Sequence, residues 1–283
     1  MLIAQISDFH LKPAGTLAYD RADTATSLRR AVDHINTLNP RPDLVLVTGD
    51  LVDEGASESY SMVKKLLTPL IPPVYIVPGN HDHKAELRRT FPDHVYLNQT
   101  VAEGGKNYIC FTIEDFPVRI IGLDTVTPGD HGGGLGPTRL AWLDETLSER
   151  PEAPTVIFMH HPPFASAIGH MDMEIFTGRK EFAAVISKNP HVERVLCGHV
   201  HRPVIRRFAG TIASISPGIG MQLVLDLRQE APSAFILEPP AVMLHLWTHL
   251  WDEPTLLTHI SIIEDQPGQY SGPYPFFGVV SPK

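Results

Sequence analysis

Leu44-Val45-Leu46-Val47-Thr48-Gly49-Asp50 is the stretch on which the reading of this chain turns. Four consecutive apolar residues predict a strand buried on both faces, as in a parallel sheet. Gly49 breaks the run, and Asp50 follows at the strand's C-terminal edge, where open α/β sheets build their sites. Alone, that carboxylate could simply cap the next helix. Its company points elsewhere. Outward from it, four other apolar runs end in metal-binding residue types. Residues 2–6 lead into Ser7-Asp8-Phe9-His10, and residues 74–77 into Pro78-Gly79-Asn80-His81-Asp82. Residues 156–159 lead into His160-His161, and residues 192–197 into Gly198-His199-Val200-His201.

Helical spacing separates most of these runs. Leu28, Ala31, Val32, Ile35 and Leu38 form one apolar face, with Asp23 or Thr24 as N-cap, and Tyr60, Val63, Leu66, Leu67 and Leu70 form another. Pro137 opens a third helix, carrying Leu140, Leu143 and Leu147. Phe182, Val185 and Ile186 mark a fourth. Residues 84–105 read as helix, then loop. Strand alternating with helix predicts an α/β fold with a mainly parallel sheet covered by helices. After residue 201 the runs at 204–208, 211–216, 221–227, 234–237 and 242–247 are strand-like and predict a second sheet. A catalytic domain over 1–215 and a strand-rich region over 216–283, completing the second sheet and supplying an oligomer interface, is the expected organisation. Residues 267–283, rich in Gly, Pro and aromatics, are expected to pack extended. The glycines of His131-Gly132-Gly133-Gly134-Leu135-Gly136 match no phosphate-binding fingerprint and read as a flexible turn.

With 283 residues, 43% of them hydrophobic and 19% charged, the chain has the composition of an ordinary globular protein. A formal net charge of −9 argues against a partner bound by neutralising long runs of phosphates. Cys110 and Cys197 are too few for a disulfide framework and sit in apolar runs. No signal-peptide pattern and no run of membrane-spanning length are present, so a cytoplasmic protein without a membrane partner is expected.

Residues i and i+2 of a strand point the same way, so Asp8 and His10 can share an ion, or His199 and His201 can face one pocket. Histidine, carboxylate and amide oxygen together suit Mn, Fe, Co or Zn. The candidate ligands outnumber what one tetrahedral ion needs, which predicts two divalent ions about 3.5–4 Å apart bridged by one carboxylate. After two aspartates and a hydroxide are subtracted from four positive charges, a positive centre remains that suits a phosphate ester. Each motif alone is more often a turn or a loop; what carries the reading is all five in order at strand ends.

Asp-Phe-His, Gly-Asp, Gly-Asn-His-Asp, His-His and Gly-His-Val-His in this order resemble the calcineurin-like metallophosphoesterase superfamily over residues 1–220. In detail the chain is similar to bacterial class III cyclic-nucleotide phosphodiesterases and glycerophosphodiesterases. The resemblance implies a two-sheet αββα sandwich and hydrolysis of a small phosphodiester, a 3′,5′-cyclic nucleotide or a glycerophosphodiester, by a hydroxide bridging the ions. It implies that Asp8, His10 and His201 hold one ion, that Asn80, His160 and His199 hold the other, and that Asp50 bridges. His81 would face the substrate, as proton donor to the leaving group or as a hydrogen bond to phosphate, with Asp82 orienting it. His161 is expected to support the site from behind, and the loop 165–178, with His170 and Asp172, to line the pocket. The sequence departs from the pattern at two places. Met221 stands where many relatives have histidine, and Glu54 stands where protein phosphatases of the superfamily carry arginine. An acid there is expected to favour a diester over a dianionic monoester. A phosphomonoesterase or nuclease on the same site, and a metal-stabilised scaffold, are the alternatives. Small-diester substrates, no long nucleic acid and a homo-oligomer (a dimer or an assembly of dimers) complete the expectations.

Overall fold

The structure, a computed structural model, describes residues 1–266 and 268–270. Most of the expected tail at 267–283 therefore lies outside the described residues. In chain order the elements begin β1 (Leu2–Ile6), α1 (Thr24–Thr37), β2 (Leu44–Val47), α2 (Ser57–Leu67), β3 (Val74–Ile76) and α3 (Lys84–Thr90). They continue with β4 (Thr100–Glu103), β5 (Lys106–Ile113), β6 (Arg119–Leu123), α4 (Pro137–Glu149), β7 (Thr155–Met159), α5 (Gly169–Asp172), α6 (Arg179–Lys188) and β8 (Val192–Cys197). Then follow β9 (Val204–Phe208), β10 (Thr211–Ile215), β11 (Gln222–Leu223), β12 (Phe235–Ile236), β13 (Ala241–Leu250) and β14 (Glu253–Ile262).

Two sheets pack face to face, in the orders β14-β13-β1-β2-β3 and β4-β5-β6-β7-β8-β10-β9. Period-two alternation divides the second sheet's side chains between two cores. Phe111, Ile120, Val156, Phe158 and Leu196 face the first sheet, sharing a core with Ile3, Leu46 and Val47. Ile121, Leu123, Ile157, Met159, Val195 and Cys197 face the other way, onto Leu143 and Leu147 of α4 and Phe182 and Ile186 of α6. Helices α1 and α2 cover the first sheet through Leu28, Val32, Tyr60 and Val63. This is the αββα sandwich that the resemblance implied.

Among the described residues β11 and β12 pair only with each other, while the other strands after residue 201 join the two large sheets. β9 and β10 extend the sheet of β8, and β13 pairs antiparallel with β1, Leu2 opposite Leu246 and Gln5 opposite Met243. The C-terminal hairpin thus completes the sheet of β1. The physical reason is the open edge of β1, whose backbone groups need a partner. Alternation marks a segment as a strand but does not name its neighbour. β14 was not foreseen at all. Its hairpin turn, Trp251-Asp252, has φ of 51° and 65°, the two positive angles of a primed turn, but lacks the usual Asn-Gly signal. Pro254 further demotes the run, and an edge strand tolerates it.

One buried polar group of this hairpin has a measurable consequence. His245 Nε2 donates to Gln5 Oε1 (3.1 Å), and Nδ1 accepts from Thr258 Oγ1 (2.9 Å). Burial first, and then the Arg194 charge, push its pKa down to about 3. Below the unfolded value near 6.5, the unfolded chain binds a proton that the folded chain refuses. Stability from this group is therefore full above pH 6.5 and is lost as pH falls toward 3. The slope is about 1.4 kcal/mol per pH unit. Urea unfolding at pH 7 and pH 5 is expected to differ by about 2 kcal/mol more in the wild type than in His245→Gln. Equal pH slopes in the two proteins would contradict this.

Candidate metal centre

The seven residues expected as ligands come from loops at one edge of the sandwich, and the structure brings all seven together. Beyond β1 and β2 the two loops remain zipped: Asp8 N donates to Gly49 O (3.0 Å), and Phe9 N and His10 N donate to Asp50 O (2.8 and 3.1 Å). His199 N donates to the Asp8 carboxylate (3.1 Å), and His81 N to Asp50 Oδ1 (2.9 Å). Asp50 is packed so closely against the next loop that a Cβ on Gly79 would lie 2.1 Å from its Oδ1, so only glycine fits there. Asp8, His10, Asp50, His199 and His201 all hold positive φ, between 46° and 74°. Such backbone costs about 1–3 kcal/mol per residue and clusters where function requires it; here it turns five side chains back over the sheet edge.

The side chains form two linked groups. His10 Nε2 and His201 Nε2 lie 3.1 Å apart, with Asp8 Oδ1 3.5 Å from the latter. Asn80 Oδ1 lies 3.0 Å from His160 Nε2 and 3.1 Å from His199 Nδ1. Asp50 Oδ2 stands between the groups, 3.3 Å from His160 Nε2 and 3.6 Å from His10 Nε2.

Which ring nitrogens carry protons follows from their outer partners. His160 Nδ1 donates to Thr48 O (2.7 Å) and His201 Nδ1 to Met221 O (3.1 Å), and a carbonyl can only accept. His10 Nδ1 donates to Asp53 (3.2 Å), whose pKa is about 2. Burial alone would raise that carboxyl, but the hydrogen bonds from His10 and Lys12 win. Three Nε2 lone pairs therefore point inward at one another and at carboxylate and amide oxygens. Such a convergence of acceptors requires protons or cations between them. Burial works against charging His160, yet Asp50 holds its pKa at about 9, so the surroundings favour positive charge there. The donor set thus fits divalent ions, and three of its acid and histidine groupings, Asp8-His10-His201, Asp8-Asp50-His160 and His160-His161-His199, are compact enough to hold one.

Around this centre the structure changes several expectations. Asp82 does not orient His81. Its carboxylate accepts from Gly79 N (2.9 Å), Leu51 N (3.2 Å) and Tyr60 Oη (3.0 Å), fixing the loop, and is buried away from the cavity. His81 Nδ1 donates instead to Asp53 O (2.7 Å). Glu54 lies 2.5 Å from Lys12 Nζ with its side chain 72% exposed, so it places no free charge over the centre and gives no ground for rejecting a monoester. The glycine-rich loop is not a flexible turn, because Gly134 N donates to Thr125 O (2.9 Å) and Thr177 N to Gly133 O (2.8 Å). It also brings in His131, Nδ1 of which is 3.3 Å from Asn80 Nδ2. His161 packs behind His160 and His199, donating from Nε2 to His131 O (3.0 Å). Burial and the neighbouring imidazoles keep it neutral. Asp172 ties its own loop together, while His170 reaches the cavity.

The cavity over the centre measures about 390 Å³. His10, Asp50, Asn80, His81, His199 and His201 form its floor. Tyr19 and Phe235 form an aromatic side, with ring centroids 5.5 Å apart, and Met221 lies beside them. Among the described residues no lysine or arginine lines it. Sequence reasoning missed Tyr19, Asp53, His131 and Phe235 as parts of the site, and it placed Glu174 in the pocket-lining loop 165–178 without singling it out. Only Asp53 carried a signal, three residues after Asp50. His245 lies in the core, and no helix among the described residues is long and apolar enough to cross a membrane.

Comparison with known proteins adds identity to this geometry. The chain is 40% identical over 278 residues to a probable glycerophosphodiester phosphodiesterase of Arcobacter nitrofigilis, covering 98% of this chain and 97% of that one. It is 32% identical over 242 residues to a 3′,5′-cyclic-nucleotide phosphodiesterase of Nostoc, covering 83% and 86% of the two chains. A dimetal phosphatase from Danio rerio shares the fold at 16% identity, with a TM-score of 0.61 over 92% of this chain and 98% of that one. The sequence pattern of the calcineurin-like phosphoesterases matches residues 1–203, and the chain belongs to that family.

Proposed function

We propose that this protein hydrolyses small phosphodiesters at a two-ion centre. Asp8, His10 and His201 would hold one ion, Asn80, His160 and His199 the other, with Asp50 shared. The observation that carries the reading is the convergence of histidine lone pairs on Asp50 and Asn80, with the opposite ring nitrogens held by oxygens. Divalent ions bound there supply Lewis-acid polarisation of the phosphoryl oxygens and an acidified water. The chain's own residues do the rest. Asp50 neutralises part of the charge, and the loop amides keep its carboxylate in place. His81, with Nδ1–H committed to Asp53 O, turns Nε2 to the cavity and delivers a proton from it to the departing alkoxide oxygen. A cavity of about 390 Å³ suits a small diester, and the acidic balance disfavours long nucleic acids.

Likeness along almost the whole chain favours a glycerophosphodiester. The Tyr19–Phe235 side supports a second reading, a cyclic nucleotide whose base stacks on those rings. Comparing kcat/KM of the Mn-loaded protein on glycerophosphoethanolamine and 3′,5′-cyclic AMP separates the two. Turnover of a phosphomonoester, with neither diester cleaved, would overturn the proposal. The expected homo-oligomer would form through the open edge of β14, where Ile260 and Ile262 are exposed, and sedimentation would test it.

A further inference from the structure

A histidine can ligate through either ring nitrogen, and the choice is set by the partner of the other one. His10, His160 and His201 all turn Nε2 inward, because Asp53, Thr48 O and Met221 O hold their Nδ1. His199 is reversed: its Nδ1 faces Asn80 Oδ1 at 3.1 Å, and its Nε2 points outward. Such a ring needs an acceptor on the outer side. Glu174 Oε2 lies there, 2.8 Å from Nε2. That oxygen is shut off from solvent and accepts no hydrogen bond, the approach of His199 Nε2 being an ion-pair contact. A buried carboxylate oxygen without a donor is costly, and the His199 N–H is the group placed to offset that cost.

We propose that Glu174 is a positioning residue that selects Nδ1 of His199 as ligand to the second ion. The inference rests on the two-ion reading above. Thr48, Met221 and Asp53 lie in the loops that carry the ligands, or beside them. Glu174 comes instead from the loop after α5, which no metal-binding motif includes. That loop is built to hold its position. The Asp172 carboxylate accepts from Ser166 N (2.7 Å) and Ala167 N (2.8 Å), closing one end. Thr177 N donates to Gly133 O (2.8 Å) at the other. Between them Gly169 abuts the segment after β11, so closely that a Cβ there would lie 2.1 Å from Gln229 O. Glu174 stands in the wall between the cavity over the centre and a neighbouring one of about 290 Å³, and His199 lines both. Without the carboxylate, the Nδ1–H tautomer becomes accessible, and it would aim a proton at the place of the second ion. Among the described residues no hydrogen bond or ion pair joins Asp8, His10 or His201 to Glu174, so the effect falls on one ion of two.

The test is calorimetric titration of metal-free protein with Mn²⁺, beside thermal melting of the same metal-free samples. Wild type takes up two ions. In Glu174→Ala, affinity for one ion is expected to fall about 10–100-fold with the other unchanged, the usual loss when a ligand's outer partner is removed. Glu174→Gln keeps an acceptor oxygen and is expected to restore affinity to within about threefold of wild type, since a neutral acceptor still fixes the tautomer. Melting of the metal-free protein is expected to be the same in all three. Unchanged affinities in Glu174→Ala, equal weakening of both ions, or a glutamine variant as impaired as alanine would each overturn the inference. Wild-type protein that binds fewer than two ions would overturn the two-ion reading itself, and this inference with it.

Discussion

Asp50→Ala protein is expected to lose its metal ions and its activity together. Asp50 Oδ2 stands 3.3 Å from His160 Nε2 and 3.6 Å from His10 Nε2, so its carboxylate lies between the two groups of ligands. Its removal leaves the inward imidazoles of both groups without their shared counter-charge. Metal-assisted charge stabilisation contributes several kcal/mol to such reactions, so kcat/KM should fall by about three orders of magnitude or more. The loss should extend beyond chemistry. His81 N donates to Asp50 Oδ1, and without it the Gly79–Asp82 turn loses one of its anchors. Asp50→Asn keeps that acceptor but not the charge. It should therefore preserve folding while still losing metal. Elemental analysis of the purified variants decides the matter: full retention of two ions in Asp50→Ala would refute the shared role.

His81→Ala is expected to give a different signature, with metal content unchanged and turnover reduced. The imidazole is 23% exposed, lines the cavity, and has Nδ1 committed to a backbone carbonyl. Nε2 is then the only site at which its proton can be gained or given. General acid catalysis contributes about 10²–10⁴-fold, and kcat should fall by that amount with KM little altered. The size of the loss should depend on the leaving group. An alkoxide needs a proton as it departs, whereas 4-nitrophenolate leaves unaided. A glycerol diester should thus suffer the full loss and a 4-nitrophenyl diester only a small one. Equal losses on both would show that His81 binds phosphate without transferring a proton.

Much of the site was legible in the sequence because its residues come in short motifs at strand ends. A strand that ends in Gly-Asp or His-His must deliver those side chains to one sheet edge, whatever the loops do beyond it. The apolar runs at Leu44–Val47 and 156–159 were legible for the same reason: strands buried on both faces leave a continuous apolar signature. Asp82 was misread because adjacency in a motif suggested contact. In the structure the turn sends it inward to Gly79 N and Tyr60 Oη. Glu54 was misread because the sequence does not show Lys12, 42 residues earlier, lying against it.

Local pattern alone therefore determined the layered α/β character, the edge on which the site lies and the types of ligand it gathers. These depend on the period of the chain and on residues within a few positions of one another. Only the tertiary structure decided three things: that β13 completes the sheet of β1, that Tyr19 and Phe235 share a cavity, and that Glu174 meets His199. Each of these is a pairing between distant segments, set by which open edge or unpaired donor remains once the strands are in place. Such choices are settled by burial and hydrogen-bond satisfaction over the whole molecule, and no short stretch of sequence carries them.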